Sequence, residues 1–500
     1  MSLASILLFT ATFTRALIGV DSLDPVKAQA TYDCHAVQLL YETPLEIDYE
    51  ARPYKIKSGA CELLELSEDG LIYSFKMTSS TPLNAYDVKR SIDRLRDSKN
   101  PSPGSWTMKC VSDVIVTSER TFKIKLKTRQ HVFPWMLTMA YCAIQGKNGE
   151  FTGPYRLKSW WRNYEIIFER NPNWHGWKLY DDGGVNAFNE VRYIVVNDVT
   201  TQWLMFLNGE IDFLGEIARD NWGAVMDEDG RLYSSLKKRG IKLCGGAPAN
   251  EIRYIGMNMN DAILGKNKKL RQALSCAFDF QRWKLFYNNS ICKTDGPVPP
   301  TVEGCLKTPF EYSYNLEKAK KLLKEAGYPD GIDPKTGRSL VISLAIGRPT
   351  QDSREAGELL ASFYAEIGVK IELKFQTWHA FLNSINKGNY QLYMMAWIAD
   401  YPDPENFLQL FYSKNKSPGP NRSCYNNPEY DLEYDKAMSA LNKKERIKHW
   451  YRCQEILRED CPWIYTHITK NYTLVNSRVG NYMATDFPYG HEKHYRNLKK

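Results

Sequence analysis

The chain has 500 residues, of which 43% are hydrophobic and 25% charged, an ordinary composition for a soluble globular protein. This length exceeds what one hydrophobic core serves, so two or more lobes are expected. The net charge of +8 is spread along the chain, which argues against a nucleic-acid-binding surface. Apart from the first residues no long apolar segment occurs, which argues against an integral membrane protein.

The chain starts with an apolar run, Leu3 to Phe13, of about the length of a signal-peptide core. No basic residue precedes the run and Arg15 follows it, so we interpret residues 1–16 as a degenerate export signal. Two alternatives stay open: a misplaced start of the chain, and a buried strand or helix. The first lobe is expected to begin at residue 17 with a strand at Leu17–Val20, and its first part is assigned to residues 17–50.

From about Arg52 to Arg129 the sequence has the two-residue periodicity of antiparallel strands, and a separate domain is assigned to residues 51–150. Leu63–Leu66 and Leu71–Met77 predict one hairpin, and Val114–Thr117 with Phe122–Leu126 predicts another. Between them Asn84 is a plausible helix N-cap with Asp87 three residues later.

The first lobe is predicted to resume over residues 151–255. Its pattern is a pair of strands, a proline-broken loop and a β-α-β unit that ends with the strand Ile211–Leu214. The second lobe is assigned to residues 256–475, and residues 476–500 are expected to return to the first lobe.

The second lobe contains the clearest alternation of strands and helices. Strands are predicted at Leu340–Ile346, Val369–Phe375 and Tyr390–Met395, with helices at Ser353–Ile367 and Trp378–Lys387. This order predicts a parallel, doubly wound sheet, whose ligands bind just beyond the carboxyl ends of its strands. Asp400 follows the last of these strands. The other interpretation of Asp400 is a cap for the turn in Asp-x-Pro-Asp-Pro.

Several separated motifs resemble the oligopeptide- and dipeptide-binding receptors of ABC importers, and the resemblance covers about residues 17–475. The segment from Trp397 to Leu408 reads Trp-x-x-Asp-Tyr-x-Asp-Pro-x-Asn-Phe-Leu, and Gly153-Pro154-Tyr155 is followed by Asn171-Pro172-Asn173-Trp174. The resemblance implies a two-lobed, periplasmic-binding-protein-like α/β fold with an additional small α+β domain. It also implies that the protein captures a peptide in an interlobe cleft and delivers it to the transporter.

The resemblance also implies a set of ligand-binding residues. Asp400 would hold the α-ammonium group of the peptide, and the backbone at Ala396 to Ala399 would pair with it as an added strand. Arg354 is the candidate for the peptide carboxylate and Arg348 its competitor, although either arginine also fits a solvated surface. The candidate ligand-binding residues are Asp400, Trp397, Ala399, Tyr401, Arg354 and Asp33.

Trp397 and Asp33 are candidates for other reasons. Trp397 would form a wall of the pocket, and the alternative is a core tryptophan. Asp33 stands where relatives have a first-lobe segment that faces the cleft.

No motif for an enzyme, metal site or cofactor emerges. The sequence lacks a Gly-x-Ser-x-Gly elbow, a P-loop and His-Glu-x-x-His, and its histidines are not at metal-ligand spacing. The eleven cysteines form no Cys-x-x-Cys pattern, and we interpret most of them as buried apolar residues, with Cys292–Cys305 and Cys453–Cys461 as alternative disulfides.

We therefore predict a monomeric, periplasmic or cell-surface receptor that needs no cofactor and has peptides and ABC-transporter permease subunits as partners. The alternatives are the same fold with a nickel chelate, haem or oligosaccharide as ligand, and a hydrolase that uses the cleft.

Overall fold

A computed structural model describes residues 11–28, 30–100, 102–180, 186–215, 217–227, 230–347, 349–417, 419–487 and 489–498. The chain divides into two compact units, Met1–Gly246 with Asn471–Lys500 and Ala247–Lys470. The sequence placed these divisions at 255/256 and 475/476. The observed divisions fall inside two strands, Ile241–Pro248 and Trp463–Asn476. No loop therefore marks either division in the sequence.

The strands and helices in chain order are as follows. The strands are β1 Thr12–Leu17, β2 Leu45–Ile47, β3 Ile56–Ser58, β4 Cys61–Leu66, β5 Ile72–Met77, β6 Val111–Ser118, β7 Thr121–Leu126, β8 Tyr155–Trp161, β9 Glu165–Arg170, β10 Glu190–Val195, β11 Phe213–Leu214, β12 Ile241–Pro248, β13 Glu251–Met257, β14 Ile291–Cys292, β15 Val341–Gly347, β16 Lys370–Gln376, β17 Leu392–Ile398, β18 Trp463–Asn476, β19 Val479–Gly480 and β20 Arg496–Asn497. The helices are α1 Thr31–Leu40, α2 Ala85–Leu95, α3 Phe133–Met136, α4 Val199–Leu207, α5 Trp222–Val225, α6 Ser234–Lys238, α7 Lys268–Ala277, α8 Phe280–Phe286, α9 Leu316–Glu325, α10 Gln351–Ala365, α11 Trp378–Asn386, α12 Glu405–Leu408, α13 Pro428–Ser439 and α14 Lys443–Asp460.

The first unit is built on a sheet in which β1 is an interior strand. β1 pairs in parallel with β10 on one side and with β11 on the other, and β9 and β8 extend the sheet beyond β10. Phe13 and Leu17 of β1 are buried and contribute to the core of this unit. Alternate residues of β1 are buried because successive side chains of a strand point to opposite faces.

Residues 12–16, which the sequence analysis included in a possible export signal, form most of β1. At residues 12 and 13 the alternative of a buried strand is therefore the one that fits. The predicted strand at Leu17–Val20 lies at the end of this element. A charged residue such as Arg15 is not expected in a buried strand. Its guanidinium is buried here because it pairs with Glu492 at 3.1 Å, 477 residues away. Residues 3–10 of the predicted run lie outside the described residues.

The predicted hairpins of the small α+β region are confirmed. They form a four-stranded antiparallel sheet in the order β4-β5-β7-β6, and this sheet belongs to the first unit. The side chain of Asn84 accepts hydrogen bonds from the backbone N–H groups of Tyr86 and Asp87 at the start of α2, and Asp87 accepts one from Asn84 in return. This is the capping box that the sequence predicted.

The second unit has a mixed sheet with the order β16-β15-β17-β13-β18. The predicted β-α-β-α-β series is confirmed, and β15 is parallel to both β16 and β17. The sheet also contains strands that the sequence did not assign to it, since β13 runs antiparallel to both β17 and β18. β13 comes about 80 residues before this series, and nothing local in its sequence specifies its neighbour or direction.

Two further expectations concern membranes and cysteines. In the described part of the chain, no helix has both the length and the apolar character needed to cross a bilayer. The eleven cysteines all lie in described segments and form no disulfide, and six of them are buried. The buried-residue interpretation therefore fits these cysteines better than the two alternative pairs.

An ion pair between a partly exposed arginine and a buried carboxylate connects distant parts of the first unit. The Arg478 side chain donates to both carboxylate oxygens of Asp212, at 2.7 and 2.6 Å, and to the carbonyl oxygen of Thr12 at 2.7 Å. Asp212 also accepts the backbone N–H of Thr14 at 2.9 Å. Burial raises the pKa of Asp212 even though Arg478 and this hydrogen bond oppose the shift, so the carboxylate depends on its partner.

We expect Arg478→Ala to lower the free energy of unfolding by about 2–4 kcal/mol, because it leaves a buried carboxylate without its counter-ion. Urea unfolding at pH 7 measures this change. Arg452→Ala is the control, since Arg452 pairs with the exposed Glu429, and such a surface pair is worth less than about 1 kcal/mol. Equal effects of the two substitutions would contradict this interpretation.

Candidate functional site

The loop after β17 carries the main candidate, Asp400. β17 ends at Ile398, and the backbone N–H of Ala399 donates to the carbonyl oxygen of Asn250 at 2.8 Å, which extends the pairing with β13 by one residue. The chain then turns through two prolines into the short helix α12. Asp400 therefore lies directly beyond the carboxyl end of β17, where the sequence placed it.

The side chain of Asn406 organises this loop. Its Oδ1 accepts the indole N–H of Trp397 at 2.9 Å and the backbone N–H of Asp400 at 3.1 Å. Its Nδ2 donates to Oδ2 of Asp400 at 3.3 Å. Asn406 is fully buried, so one amide fixes the indole, the backbone and the carboxylate together.

Asp400 is a carboxylate in a poorly solvated place. Desolvation raises its pKa from the ordinary 3.8 to about 6; the hydrogen bond from Asn406 lowers this pKa and the negative charge of Glu405 raises it. Among the described residues, no lysine, arginine or histidine forms an ion pair with it. At neutral pH the site therefore presents a negative charge that the described part of the chain leaves uncompensated.

Tyr401 and Glu405 form the base of the loop. Tyr401 is fully buried and its hydroxyl donates to Glu405, which also accepts the hydroxyl of Tyr434 at 2.7 Å. The structure thus places Tyr401, a predicted ligand-binding residue, beneath the loop. Its position is that of a support for Asp400 rather than a surface for a ligand.

One edge of β17 is open near Asp400. β15 pairs with β17 only at Leu392 and Tyr393, so within the described ranges no strand covers this edge from Met394 to Ile398. The backbone N–H and C=O groups of successive residues in a strand point to opposite sides. Because Ala399 directs its N–H towards β13, the backbone groups of Ala396 and Ile398 point to the open edge. The prediction of an added strand at residues 396–399 therefore needs a correction: Ala399 is buried and bonded to Asn250, and the available positions are 396 and 398.

Arg354 lies at the same edge of the sheet as Asp400. It is in the first turn of α10, which follows the carboxyl end of β15, and parallel strands β15, β16 and β17 end on one side. Its guanidinium packs 5.0 Å from the ring centre of Phe375 near the end of β16. The side chain is exposed, so it is available for a ligand carboxylate. The competitor Arg348 lies outside the described residues.

Asp33, in the first unit, has a different environment. It is fully buried and accepts three backbone N–H groups, from Asp21 at 2.8 Å, Ser22 at 3.3 Å and Ala30 at 3.1 Å. These bonds fix the loop that follows β1 and the start of α1. The structure therefore gives Asp33 a loop-supporting role, and its use as a ligand contact is not carried into the proposal below.

Sequence reasoning missed the residues that hold the site together. Asn406 stands inside the Trp397–Leu408 motif, and its place there is the signal that would have identified it. Asn250 and Tyr434 have no such signal, since their contacts with the loop depend on strand pairing and helix packing across the second unit.

The chain folds into two α/β units, and its second unit places a carboxylate, Asp400, at the carboxyl end of parallel strands. Both features are typical of α/β binding proteins with two units. The family model described as bacterial extracellular solute-binding proteins, family 5 Middle, matches residues 55–419, more than half of the chain. The chain belongs to this family, which confirms the resemblance at the family level.

Relatives in this family bind different solutes according to their names. Heme-binding protein A of Haemophilus influenzae is 25% identical over 489 residues, which cover 89% of this chain and 84% of that protein. The dipeptide-binding protein of Escherichia coli is 25% identical over 516 residues, which cover 94% and 90%. Among solved structures, the periplasmic binding protein DppA from Helicobacter pylori in complex with the peptide STSA has a TM-score of 0.79 and 21% identity, with 98% of both chains covered. This likeness confirms the expected fold.

Asp400→Asn is expected to stabilise the ligand-free protein at pH 7 by about 1–2 kcal/mol, because it removes a charge that burial disfavours. The shift of the pKa from 3.8 to about 6 corresponds to a stabilisation of at most about 3 kcal/mol. We expect less than this because Asp400 is partly exposed.

The stabilising effect has a defined pH dependence. Because the pKa in the folded protein lies above the unfolded value, the wild type loses stability as the pH rises from about 4 to about 6. Only at about pH 3 and below, well under the ordinary pKa of 3.8, is the carboxyl mostly protonated in both states, and there the two proteins should be equally stable. Urea unfolding at pH 3 and pH 7 tests this, and a destabilised variant at pH 7 would contradict the assigned environment of Asp400.

Proposed function

We propose that this protein binds peptides with a free amino terminus, and that Asp400 is the counter-ion of the peptide α-ammonium group. The single observation that carries the proposal is the environment of Asp400. It is a largely desolvated carboxylate that no cation of the described residues compensates, and a bound ammonium group supplies the missing charge. With a pKa of about 6, the carboxylate is ionised at neutral pH.

The open edge of β17 supports a peptide in particular. A peptide that leaves water must replace the hydrogen bonds of its backbone as well as those of its ends. The backbone groups of Ala396 and Ile398 offer a short stretch of strand pairing two to four residues before Asp400. Strand pairing does not depend on side chains, so it accommodates peptides of varied sequence.

Arg354 is proposed as the contact for the peptide carboxylate. Its guanidinium is exposed and its position over Phe375 leaves its N–H groups free to face a ligand. An arginine can hold a carboxylate through two parallel hydrogen bonds. Trp397, whose indole N–H is fixed by Asn406, would form a rigid wall beside the ammonium group.

The family and the named relatives suggest the cellular role. We propose that the protein acts as a monomer outside the cytoplasmic membrane and delivers its peptide to the permease subunits of an ABC importer, without chemical conversion of the ligand. The dipeptide-binding relative and the peptide complex of the H. pylori protein support a peptide ligand.

Haem is the second candidate ligand, because a haem-binding relative matches over 89% of this chain. The charge of the site favours the peptide. Haem carries two propionate groups and no ammonium group, so an ionised Asp400 would repel it rather than attract it.

Asp400→Asn should weaken the binding of a tetrapeptide with a free amino terminus by at least about 30-fold, because a desolvated charge pair is lost. Isothermal titration calorimetry at pH 7.5 measures the change. An N-acetylated form of the same peptide should bind weakly and equally to the wild type and the variant. Glu303→Gln, at a surface ion pair with Lys443, is the control and should bind the free peptide like the wild type. Unchanged affinity in Asp400→Asn would refute the proposed role of Asp400.

A further inference from the structure

A serine, a histidine and a glutamate of the first unit form a hydrogen-bonded series that the proposed peptide site does not use. The Oγ atom of Ser80 lies 3.0 Å from Nδ1 of His175, and Nε2 of His175 lies 2.6 Å from Oε1 of Glu42. Ser80 is 95 residues from His175, and Glu42 is 133 residues from it, so no local sequence motif marks the group. All three residues belong to the first unit, whereas Asp400 belongs to the second.

The direction of the two hydrogen bonds follows from the chemistry of the carboxylate. An ionised carboxylate can only accept hydrogen bonds, so Nε2 of the imidazole carries the hydrogen that Glu42 receives. Nδ1 of a neutral imidazole then has a lone pair, which accepts the hydroxyl hydrogen of Ser80. A hydroxyl bonded to an imidazole that a carboxylate orients is the arrangement that activates serine nucleophiles.

The exposure of the three groups changes in the order that this chemistry needs. Ser80 is exposed, while the side chain of His175 is 13% exposed and that of Glu42 is 3% exposed. The hydroxyl of Thr81 donates to Oε2, the other carboxylate oxygen of Glu42, at 3.3 Å. The carboxylate is therefore shielded from water and held in place, and the serine hydroxyl can be reached from solvent.

Arg120 fixes the loop between β5 and α2, which carries Ser80. Its guanidinium donates to four backbone carbonyl groups of this loop, those of Met77, Thr78, Thr81 and Leu83. Two of these groups precede Ser80 and two follow it. Because the guanidinium is planar and rigid, these bonds hold the backbone on both sides of Ser80 and keep its hydroxyl at the imidazole.

His175 and Glu42 also line a cavity of about 160 Å³. An apolar cavity of about 150 Å³ holds benzene, so a group of the size of one aromatic ring fits this volume. The described lining residues include four carboxylates and one lysine, namely Glu42, Glu46, Asp48, Glu50 and Lys57. Glu46 pairs with Lys493 at 2.8 Å. Negative charge remains in excess, so the cavity disfavours an anionic group and accepts a neutral one.

We propose that Ser80 is a reactive nucleophile that cleaves small uncharged esters, with His175 as its general base and Glu42 as the positioning residue of that base. The three named atoms satisfy the geometric criteria for nucleophile, base and orienting group. This activity is additional to peptide binding and independent of Asp400.

The reaction balances without a cofactor. Oγ of Ser80 forms a bond to the carbonyl carbon of the ester, and its hydrogen passes to Nδ1 of His175. The bond between the carbonyl carbon and the alcohol oxygen then breaks, and the alcohol leaves with the proton from Nδ1. Water next attacks the acyl-serine and gives its proton to Nδ1, and Oγ of Ser80 leaves with that proton. One ester and one water thus yield one carboxylic acid and one alcohol.

The test treats the full-length protein with an alkyl fluorophosphonate, in which a bond forms from Oγ of the reactive serine to phosphorus and fluoride leaves. Intact-mass spectrometry should show one adduct on the wild type and none on Ser80→Ala. Ser79→Ala is the matched control, since Ser79 is an exposed serine of the same turn, and it should be labelled at the wild-type rate. His175→Gln should be labelled at least about 100-fold more slowly, the lower range for a general base.

Hydrolysis of p-nitrophenyl acetate measures turnover, after subtraction of the rate in buffer. Ser80→Ala should lower this rate at least about 100-fold. Glu42→Gln should lower kcat at least about tenfold with KM within about twofold, because orientation of the base acts on the chemical step and not on substrate binding. p-Nitrophenyl hemisuccinate, which carries a carboxylate, should react at least about tenfold more slowly than the acetate.

The affinity of Ser80→Ala for a tetrapeptide with a free amino terminus should equal that of the wild type, which shows that the variant is folded and separates this proposal from the one for Asp400. Three results would overturn the assignment of Ser80: no adduct on the wild type, an adduct on Ser80→Ala, or the same loss of labelling in Ser79→Ala. Equal rates with the acetate and the hemisuccinate would overturn the preference for uncharged esters.

Discussion

The account depends on one buried amide, Asn406, which fixes a carboxylate beyond the end of β17. Its oxygen bonds the indole of Trp397 and the backbone of Asp400, and its nitrogen bonds the carboxylate of Asp400. A carboxylate with a raised pKa would relax into solvent if its loop were free to move. The amide opposes this movement, and under the proposed function the desolvated carboxylate is thereby kept in place for a cationic ligand.

The polar groups of the second unit that lie around Asn406 already have hydrogen-bond partners. The hydroxyls of Tyr401 and Tyr434 both donate to Glu405, and Asn250 continues the pairing of β13 with β17. What remains available is the charge of Asp400 and the open edge of β17. A site that binds peptides of varied sequence needs a negative charge for the amino terminus and a strand edge beside it for the backbone. The same arrangement suits haem poorly, although a haem-binding relative shares the family.

Much of the second unit could be predicted from the sequence, since β15, α10, β16, α11 and β17 lie within three residues of their predicted bounds. Each is a continuous apolar or amphipathic run, and local periodicity is sufficient for such elements. The extent of β1 was not predicted, because its buried Arg15 depends on Glu492, far away in the chain. The position of Asp400 followed from the strand before it. The supporting roles of Tyr401 and Asp33 did not, because burial and backbone hydrogen bonds decide them.

Under the proposed function, these features would give a binding protein whose specificity resides in a charge and a backbone edge rather than in a pocket for one side chain. The most direct test of this account is native mass spectrometry of the protein as purified, followed by release and sequencing of whatever co-purifies. The account predicts a mixture of peptides with unblocked amino termini and varied sequences. A single bound haem or metal chelate, or peptides whose amino termini are blocked, would contradict it.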